Sequence, residues 1–317
     1  MTTTLWSWTT SLLQVVIVGV GSLILIGFMA KVKARAEGRV GSPVTQPLRV
    51  VRKLLRKERL HAHHSSLVLP FAPMIITATA VVAVWISPLV GTHPVMVSGA
   101  DIFVIVYLLL TGSVAAALAG LDAATAFGGM GSSRAMTIGA LAEPALLVGV
   151  IALAIQSGSS NLAVIVASTL HNSDHAFGPV HLFALGALVI VVIAETGRIP
   201  VDNPATHLEL TMVHEAMILE YAGPELALVT LGEAMRLGLL FSLVANLFFP
   251  WGVATSSSAA ALALGVAALV AKLLVLALVV ALIEVRSAKL RLFRLPELLA
   301  GAFALSVLAI VMGLVTR

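Results

Sequence analysis

Eight apolar runs, joined by short polar connections, determine what this chain can fold into. A helix that crosses a bilayer needs about 20 mainly apolar residues and satisfies its backbone hydrogen bonds internally. Because the chain is 59% hydrophobic with a mean hydropathy of +1.06, we expect an all-α polytopic membrane protein with about eight transmembrane helices, in a single integral membrane domain over residues 1–317. The runs cover roughly residues 8–30, 67–90, 101–121, 136–156, 180–195, 231–250, 258–283 and 296–315.

The positions of the basic residues predict the orientation of these spans. Ten of the 19 Lys and Arg residues lie in the connection after the first run, so residues 31–66 are expected to form a basic cytoplasmic loop. Further basic residues follow the third, fifth and seventh runs, at Arg134, Arg198 and 286–294. The connections after the second, fourth and sixth runs contain neither Lys nor Arg. This alternation predicts that both termini lie outside a cell's inner (cytoplasmic) membrane.

The chain contains no cysteine. This excludes a cysteine-ligated iron–sulfur cluster, a disulfide and a c-type haem attachment within the chain. If the protein takes part in redox chemistry, the electrons therefore travel in a partner. The chain also has no Lys or Arg before its first run, so that run is expected to remain as a span rather than to be cleaved as a secretory signal.

Three short polar motifs are assigned to connections between spans. GGMGSSR, from Gly128 to Arg134, has the composition of a turn. HAHH (61–64) and HNSDH (171–175) contain histidines, and an i,i+4 pair on a helix can bind a metal ion. No further ligand stands near either histidine motif in a fixed pattern, so both are interpreted as solvated loops.

Carboxylates concentrate beside the fifth run. Six of the 15 acids lie between Glu195 and Glu225, against one arginine, Arg198. They are Glu195, Asp202, Glu209, Glu215, Glu220 and Glu225. Carboxylates at a membrane boundary are costly unless they are paired, hydrated or neutralised, and neighbouring carboxylates raise one another's pKa values. We therefore predict that residues 196–225 form an acidic cytoplasmic loop suited to proton relay; a solvated polar loop without such a role is the alternative.

This acidic loop carries signals for local structure. Pro200 and Pro204 prevent one continuous helix through its start, and Asp202 or Asn203 is placed to cap the next helix. The spacing predicts that this helix covers about residues 205–221 and ends near Gly223-Pro224. On such a helix His207, His214 and Tyr221, seven residues apart, share one face.

Several other charged residues lie within or at the ends of the apolar runs, where each needs a partner or a wet cavity. Glu143 precedes Pro144, which frees backbone carbonyls nearby. Glu233 and Arg236 have the i,i+3 spacing of a helical ion pair. The remaining residues are Asp122, Lys272 and Glu284. Together they suggest a polar path from the acidic loop into the membrane, and structural ion pairs between helices are the alternative.

These residues resemble a known family. The segment from Glu195 to Gly223, ETGRIPVDNPATHLELTMVHEAMILEYAG, is similar to the cytoplasmic loop of the membrane subunit, subunit 1, that joins the membrane arm of respiratory complex I to its hydrophilic arm. It is closer to the branch of that family found in membrane-bound, energy-converting [NiFe] hydrogenases, hydrogenase-4 and formate hydrogenlyase. The residues that indicate this branch are Asn203-Pro204, His207 and His214-Glu215. Other matching motifs are Gly120-Leu121-Asp122, Gly129-Met130-Gly131 with Arg134, Glu143-Pro144, Glu284 and Ala288 to Pro296.

The resemblance implies a non-catalytic subunit without cofactors of its own. It would anchor a [NiFe] hydrogenase large subunit and an iron–sulfur small subunit, which hold the [NiFe] centre and the clusters, beside antiporter-like membrane subunits. It would contact membrane lipid and no nucleic acid. The residues assigned to proton relay are Glu143, Glu195, Asp202, Glu209, Glu215, Glu220, Asp122, Glu284, Lys272, His207 and His214. The arginines assigned to loop organisation are Arg134, Arg198, Arg291 and Arg294.

Two other functions compete with this interpretation. A quinone-reducing, complex I-like dehydrogenase would need an apolar tunnel between the acidic loop and a peripheral arm, and the histidine-rich form of the loop argues against it. An independent secondary ion transporter is compatible with the buried charges at Glu143, Lys272 and Glu284. Such transporters commonly show inverted repeats and broken helices, and the sequence contains no clear repeat pair.

Overall fold

The structure, a computed structural model, describes residues 2–60, 65–92, 99–172, 177–202, 213–256 and 258–315. Within these ranges it contains eleven α-helices, one short 3-10 helix and no β-strand. The α-helices are α1 (Thr2–Ala36), α2 (Gln46–Leu54), α3 (Val68–Ile86), α4 (Ile102–Asp122), α5 (Ala126–Ser157), α6 (Leu162–His171), α7 (Pro179–Glu195), α8 (His214–Ile218), α9 (Gly223–Phe248), α10 (Ala259–Arg286) and α11 (Leu295–Val315). The 3-10 helix, Leu292–Arg294, leads directly into α11.

Eight of these helices coincide with the eight apolar runs. Seven of the described helices, α1, α3, α4, α5, α9, α10 and α11, are long and apolar enough to cross a membrane. The shortest predicted span corresponds to α7, which has 17 residues and a length of about 26 Å at the usual helical rise. The prediction of an all-α polytopic membrane protein is therefore confirmed.

The connections after α1, α4, α7 and α10 meet at one end of the helix bundle, which we call the charged end. The backbone N–H of Ser66 donates to the Asp122 carboxylate at 2.9 Å, and the N–H of Leu290 donates to the Pro200 carbonyl at 2.9 Å. The basic and acidic segments thus pack together. Which side of a membrane this end faces stays a prediction.

The opposite end of the bundle contains all four tryptophans, and we call it the tryptophan end. Trp6 and Trp8 lie near the start of α1, and Trp8 packs edge-on against Trp85 of α3 with ring centroids 5.5 Å apart. Trp251 follows α9 and stacks on Phe177 at 6.1 Å. Backbone hydrogen bonds tie the connections together here, including Ala254 N–H to the Val90 carbonyl at 3.0 Å.

Helix α9 is the centre of the bundle. It packs against α1, α3, α7 and α10, while α5 packs against α4, α7 and α11 on one side of it. Of its 26 residues 19 are buried, including Glu225, Arg236 and Asn246. By contrast, α10 buries only seven of its 28 residues, because it packs mainly against α1 and α9.

The expected turn at GGMGSSR is wrong, because Gly128 to Arg134 lie inside α5. The turn lies just before it, where Ala124 adopts a φ of 53° and the Thr125 hydroxyl accepts a hydrogen bond from the Gly128 N–H at 3.1 Å. A Cβ atom on Gly128 would lie 2.3 Å from the carbonyl oxygen of Gly120. The glycines therefore allow α4 and α5 to cross backbone against backbone, and this tertiary contact outweighs their low helix propensity.

The boundaries around the acidic loop also differ from expectation. Gly223 and Pro224 open α9 instead of ending a helix, so the sixth span begins eight residues before residue 231. Proline suits a first helical turn because its missing N–H would have no partner there. Gly223 has a φ of +56°, and an added Cβ would lie 2.3 Å from the Glu58 carbonyl. The helix expected over 205–221 is present only as α8; residues 203–212 lie outside the described residues.

Candidate functional site at the charged end

A buried ion pair joins α7 to the middle of α9. The Arg236 guanidinium donates to the Glu195 carboxylate, and the two side chains are only 11% and 9% exposed. Glu195 is the last residue of α7, so its side chain lies in the bundle at the point where this span ends. Sequence spacing paired Arg236 with Glu233 of its own helix, but the structure pairs it with Glu195. A carboxylate buried between helices needs a counter-ion, and Glu233, one turn from Arg236, is only half-buried.

Two adjoining cavities surround this pair. The first has a volume of about 200 Å³, and its lining includes Glu143, Glu195, His214, Glu233 and Arg236. The second has a volume of about 260 Å³, shares His214, Glu233 and Arg236 with the first, and also contacts Arg198, Asp202 and Glu215. Five residues assigned to relay from the sequence are thereby brought together: Glu143, Glu195, Asp202, His214 and Glu215. Carboxylates and an imidazole along cavities that admit water can pass protons between them.

Asp202 links two connections at the entrance to the second cavity. Its carboxylate accepts a hydrogen bond from the Lys289 Nζ at 2.7 Å and from the backbone N–H of His214 at 3.3 Å, and the His214 Nδ1 lies 3.6 Å away. Burial opposes the charged form of Asp202, but the bonds from His214 and Lys289 outweigh it and lower its pKa to about 2. Burial likewise opposes a charged His214, but Asp202 and Glu233 outweigh it and raise the pKa of His214. The two groups therefore favour the carboxylate–imidazolium state.

A second buried carboxylate, Glu284, lies at the end of α10. The Lys33 Nζ approaches it at 2.7 Å from the last turns of α1, and a guanidinium nitrogen of Arg198 lies 3.6 Å away. Burial lowers the pKa of Arg198, and the Glu284 charge opposes that effect. The Arg198 carbonyl also accepts hydrogen bonds from the N–H groups of Val201 and Asp202. Arg198 thus contacts Glu284 through its side chain and closes a turn of its own loop through its carbonyl, while its loop-organising role stays a prediction.

Asp122 stabilises the start of α3. Its carboxylate accepts hydrogen bonds from the N–H groups of Ser66 and Leu69 at 2.9 and 3.0 Å, which satisfies backbone donors that the helix leaves unpaired. The Tyr221 hydroxyl donates to the Leu69 carbonyl at 3.0 Å and fixes the same corner. Asp122 therefore has a structural partner outside both cavities.

Glu220, half-buried in the turn after α8, also lies outside the described linings of the two cavities.

Lys272 lies apart from the acidic cluster. Its Nζ donates to the Asn246 side-chain oxygen at 3.1 Å, and the Asn246 amide donates to the Leu89 carbonyl at 2.7 Å. Leu89 follows α3 at the tryptophan end, whereas Glu195 and Glu284 close their helices at the charged end. The polar path from the acidic loop therefore does not extend to this lysine.

The remaining predicted residues lie on the surface of the charged end or outside the described ranges. Arg134 and Arg291 line a third cavity of about 280 Å³ together with Lys289. Arg294 is exposed, and its backbone N–H donates to the Arg291 carbonyl at 2.9 Å, closing the 3-10 turn. The loop-organising role of these arginines stays a prediction. His207 and Glu209 fall within 203–212 and are not described.

A family model described as NADH dehydrogenase matches residues 9–315. The chain belongs to the NADH dehydrogenase family. Two relatives are hydrogenase-4 component C and formate hydrogenlyase subunit 4 of Escherichia coli (strain K12). The first is 28% identical over 299 residues, covering 94% of this chain and 93% of the relative. The second is 28% identical over 300 residues, covering 95% and 96%. The resemblance stated from the sequence is thus confirmed.

Two further comparisons bear on this NADH dehydrogenase family member. NADH-quinone oxidoreductase subunit 8 of Rhodothermus marinus is 29% identical over 212 residues, covering 64% of this chain and 60% of the relative. A solved structure of the membrane-bound sulfane sulfur reductase, an archaeal respiratory membrane complex, contains a chain that superposes with a TM-score of 0.81 at 19% identity, covering 97% of this chain and 99% of that one. At that identity the likeness establishes the fold.

Three cations of the site were not assigned to it from the sequence. Lys33 was used only to orient the spans, Lys289 was used for that and as part of the motif from Ala288 to Pro296, and Arg236 was paired with Glu233 instead of Glu195. A usable signal was present, since Glu195, Asp202 and Glu284 lie where apolar runs end and a buried carboxylate requires a cationic partner. The sequence does not show which cation reaches which acid. Among the described residues of this family member, no group of three His, Asp or Glu side chains is arranged to hold a metal ion.

Proposed function

We propose that the chain is the non-catalytic membrane-anchor and proton-coupling subunit of a membrane-bound group 4 [NiFe] hydrogenase or formate hydrogenlyase complex. The observation that carries the proposal is the buried Glu195–Arg236 pair, which lines one cavity with Glu143 and adjoins a second cavity that contacts Asp202. This arrangement leads from the surface of the charged end into the bundle. The two relatives matched over nearly their whole length are components of a hydrogenase and of a formate hydrogenlyase.

The proposed coupling uses the charges of the two cavities. Arg236 forms an ion pair with Glu195, and Glu143 lines the same cavity. When a proton arrives on Glu195, the bond between Glu195 and Arg236 weakens. The guanidinium is then free to attract the carboxylate of Glu143, and Glu143 releases its own proton onward. His214 and Asp202 lie at the outer cavity, where a partner's redox change would alter the local charge and so start this sequence.

The proposed partners dock on the charged end. An iron–sulfur small subunit and a [NiFe] large subunit would contact the connections after α1, α4, α7 and α10, placing that end in the cytoplasm of a cell whose inner membrane holds the bundle. Antiporter-like subunits would continue ion movement within the membrane. The partners hold the redox centres in this scheme, because the chain has no cysteine to ligate an iron–sulfur cluster.

A quinone-reducing complex is the second candidate. One observation favours it, namely the 29% identity to an NADH-quinone oxidoreductase subunit over 212 residues. That match covers less of both chains than the two hydrogenase-type relatives do. Quinone reduction that is lost with this subunit and is independent of a hydrogenase partner would favour this candidate.

The test replaces Glu143 and Glu195 separately by Gln in the intact complex. We expect the complex to assemble and to lose most proton translocation per hydrogen turned over, measured in inverted vesicles with a pH-sensitive dye. Glu297→Gln is the matched control, because Glu297 is an exposed carboxylate at the start of α11, outside the linings of both cavities and not assigned to relay. Unchanged translocation in both variants, or absence of a hydrogenase module from the purified complex, would contradict the proposal.

A further inference from the structure

Lys272 occupies a position where a charge is costly. It is the fourteenth residue of the 28-residue α10, so about 20 Å of helix separates it from either end. The connection after α9 packs against α10 one turn from Lys272, where a Cβ on Gly252 would lie 2.6 Å from the Ala268 Cβ, so the lysine lies within the helix on the side of the tryptophan end. A lysine at this depth needs an acid, a carbonyl or a wet cavity.

Within the chain Lys272 has a polar neighbour but no charged one. Its Nζ bonds to the side-chain oxygen of Asn246, a neutral amide whose nitrogen already holds the Leu89 carbonyl. The ion pairs of the described residues involve Lys33, Arg39, Arg198, His214, Arg236 and Lys289. None of these pairs supplies a carboxylate to Lys272, so its charge is not neutralised within the part of the chain that the structure describes.

The side of α10 next to Lys272 faces away from the bundle. Lys272 is half-buried, and one and two turns further along the helix, Val275 and Val279 are 62% and 46% exposed. Residues three and seven positions apart lie on one face of a helix. The ammonium group, bonded to the buried Asn246, therefore lies between the bundle and an exposed apolar surface on which a neighbouring helix would pack. We call this surface, formed by Lys272, Val275 and Val279, the α10 face.

We propose that the α10 face is covered by a membrane-spanning helix of another chain, which places an Asp or Glu carboxylate against Lys272. Charge complementarity selects this occupant: lipid tails would cover Val275 and Val279 but leave the ammonium unneutralised, whereas a carboxylate at the same depth pairs with it. The inference rests on the proposed function only in requiring that the chain works within a membrane complex. It specifies one surface and one chemical group on the partner.

The first experiment uses zero-length cross-linking of the intact complex in native membranes. A membrane-soluble carbodiimide activates a buried carboxylate, and the Lys272 amine attacks it to form an amide with loss of the urea. Peptide mass spectrometry should find Lys272 joined to an Asp or Glu within an apolar segment of another subunit. The matched control is Lys272→Arg, which keeps the charge and the partner but should abolish the amide cross-link.

The second experiment measures retention of the membrane partner on detergent extraction. Removal of one member of a buried, hydrogen-bonded charge pair typically weakens binding by tenfold or more, so we expect Lys272→Gln to reduce the co-purified partner about tenfold and Lys272→Arg to retain it. Val275→Ala, a change on the same face without loss of charge, should have a smaller effect.

A third measurement keeps the inference falsifiable if a Lys272 variant fails to fold. The chain has no cysteine, so Val275→Cys provides a unique thiol on the α10 face while Lys272 is retained. A lipid-soluble maleimide should label this thiol at least about tenfold more slowly in the intact complex than in the isolated chain if a helix covers it. Equal labelling rates would mean that lipid alone covers the face and would overturn the inference. The hydrogenase module, which docks at the charged end, would still co-purify in that case, so the proposed function would stand.

Discussion

Helices α9 and α10 are neighbours, and each carries one cation in the interior of its span. The two cations differ in burial and in their partners. Arg236 of α9 is buried and bonded to Glu195 of α7, whereas Lys272 of α10 is half-buried and bonded to a neutral amide. The helices differ in the same way, since α9 buries 19 of its 26 residues and α10 only seven of 28. The cation at the centre of this bundle has a counter-ion in the chain, and the one at the edge has none among the described residues.

The largest effect should follow from breaking the central pair. Arg236→Met would leave Glu195 buried beside Glu143 and Glu233 without its cation, a situation that typically costs about 3–5 kcal/mol. We expect a large fall in the thermal unfolding midpoint of the purified chain in detergent. The double variant Glu195→Gln with Arg236→Met should recover much of the loss, since replacing both members of a buried pair is often close to neutral. A double variant as unstable as the single one would show that the pair itself is not the cause.

An intermediate effect should come from Asp202, a paired acid that lies in a connection and not in a helix. Because its pKa is lowered from 3.8 to about 2, the stabilisation is present above pH 4 and is lost as the pH falls towards 2. The pKa of His214 is raised above 6.5, so its contribution is complete below pH 6.5 and is lost as the pH rises through the higher value. Asp202→Asn should therefore destabilise the chain most between about pH 4 and 6.5, by roughly 1–2 kcal/mol.

Unfolding midpoints of the native chain and the Asp202→Asn variant across a pH series test this window. Some difference should persist above it, because the 2.7 Å contact between Lys289 and Asp202 does not involve His214. Asp101→Asn provides a control at the tryptophan end, where Asp101 caps α4 by accepting from the Phe103 N–H. A difference between native chain and Asp202→Asn that is constant across pH would contradict the assignment.

A smaller effect should follow from Asp122, which neutralises no cation in the described contacts but accepts backbone N–H groups at the start of α3. Asp122→Ala should lower the unfolding midpoint slightly, because it removes the acceptor that caps α3. Asp122→Asn keeps an acceptor and should lose less. If Asp122→Ala instead abolished proton translocation while leaving the unfolding midpoint unchanged, its relay role would be favoured over capping.

The smallest effect on the isolated chain should come from Lys272→Met. The substitution removes one hydrogen bond to Asn246 but also removes a charge that has no counter-ion in the part of the chain that the structure describes, so the net change should stay within about 1 kcal/mol. Lys272→Met should therefore lower the unfolding midpoint clearly in the complex but not in the isolated chain. A loss in the isolated chain as large as that of Arg236→Met would remove the contrast between the two helices.

The fold was predictable because length and apolarity decide it. The eight runs corresponded to α1, α3, α4, α5, α7, α9, α10 and α11, since a bilayer admits few other structures for such segments. The turn expected at Gly128 failed because the close approach of Gly120, which no local pattern shows, makes glycine favourable within α5. Helix α2 was not expected, because its nine residues lie in a segment interpreted only by its charge.

The candidate site was predictable in its acids but not in its pairings. Glu143, Glu195 and Asp202 stood out because carboxylates are rare in so apolar a chain. Their partners come from distant positions: Arg236 is 41 residues from Glu195, and Lys289 is 87 residues from Asp202. Such contacts depend on how helices pack, whereas sequence spacing shows only neighbours on one helix, which is why Arg236 was paired with Glu233.

The position of the tryptophans at one end makes the two halves of the bundle optically distinct. Native indole emission arises wholly from the tryptophan end, opposite the acidic cavities. The charged end therefore contributes no emission at the wavelengths where tryptophan emits. A single indole introduced there, in a variant whose four native tryptophans are replaced by phenylalanine, would report proton-dependent changes around Glu195 and His214 without background.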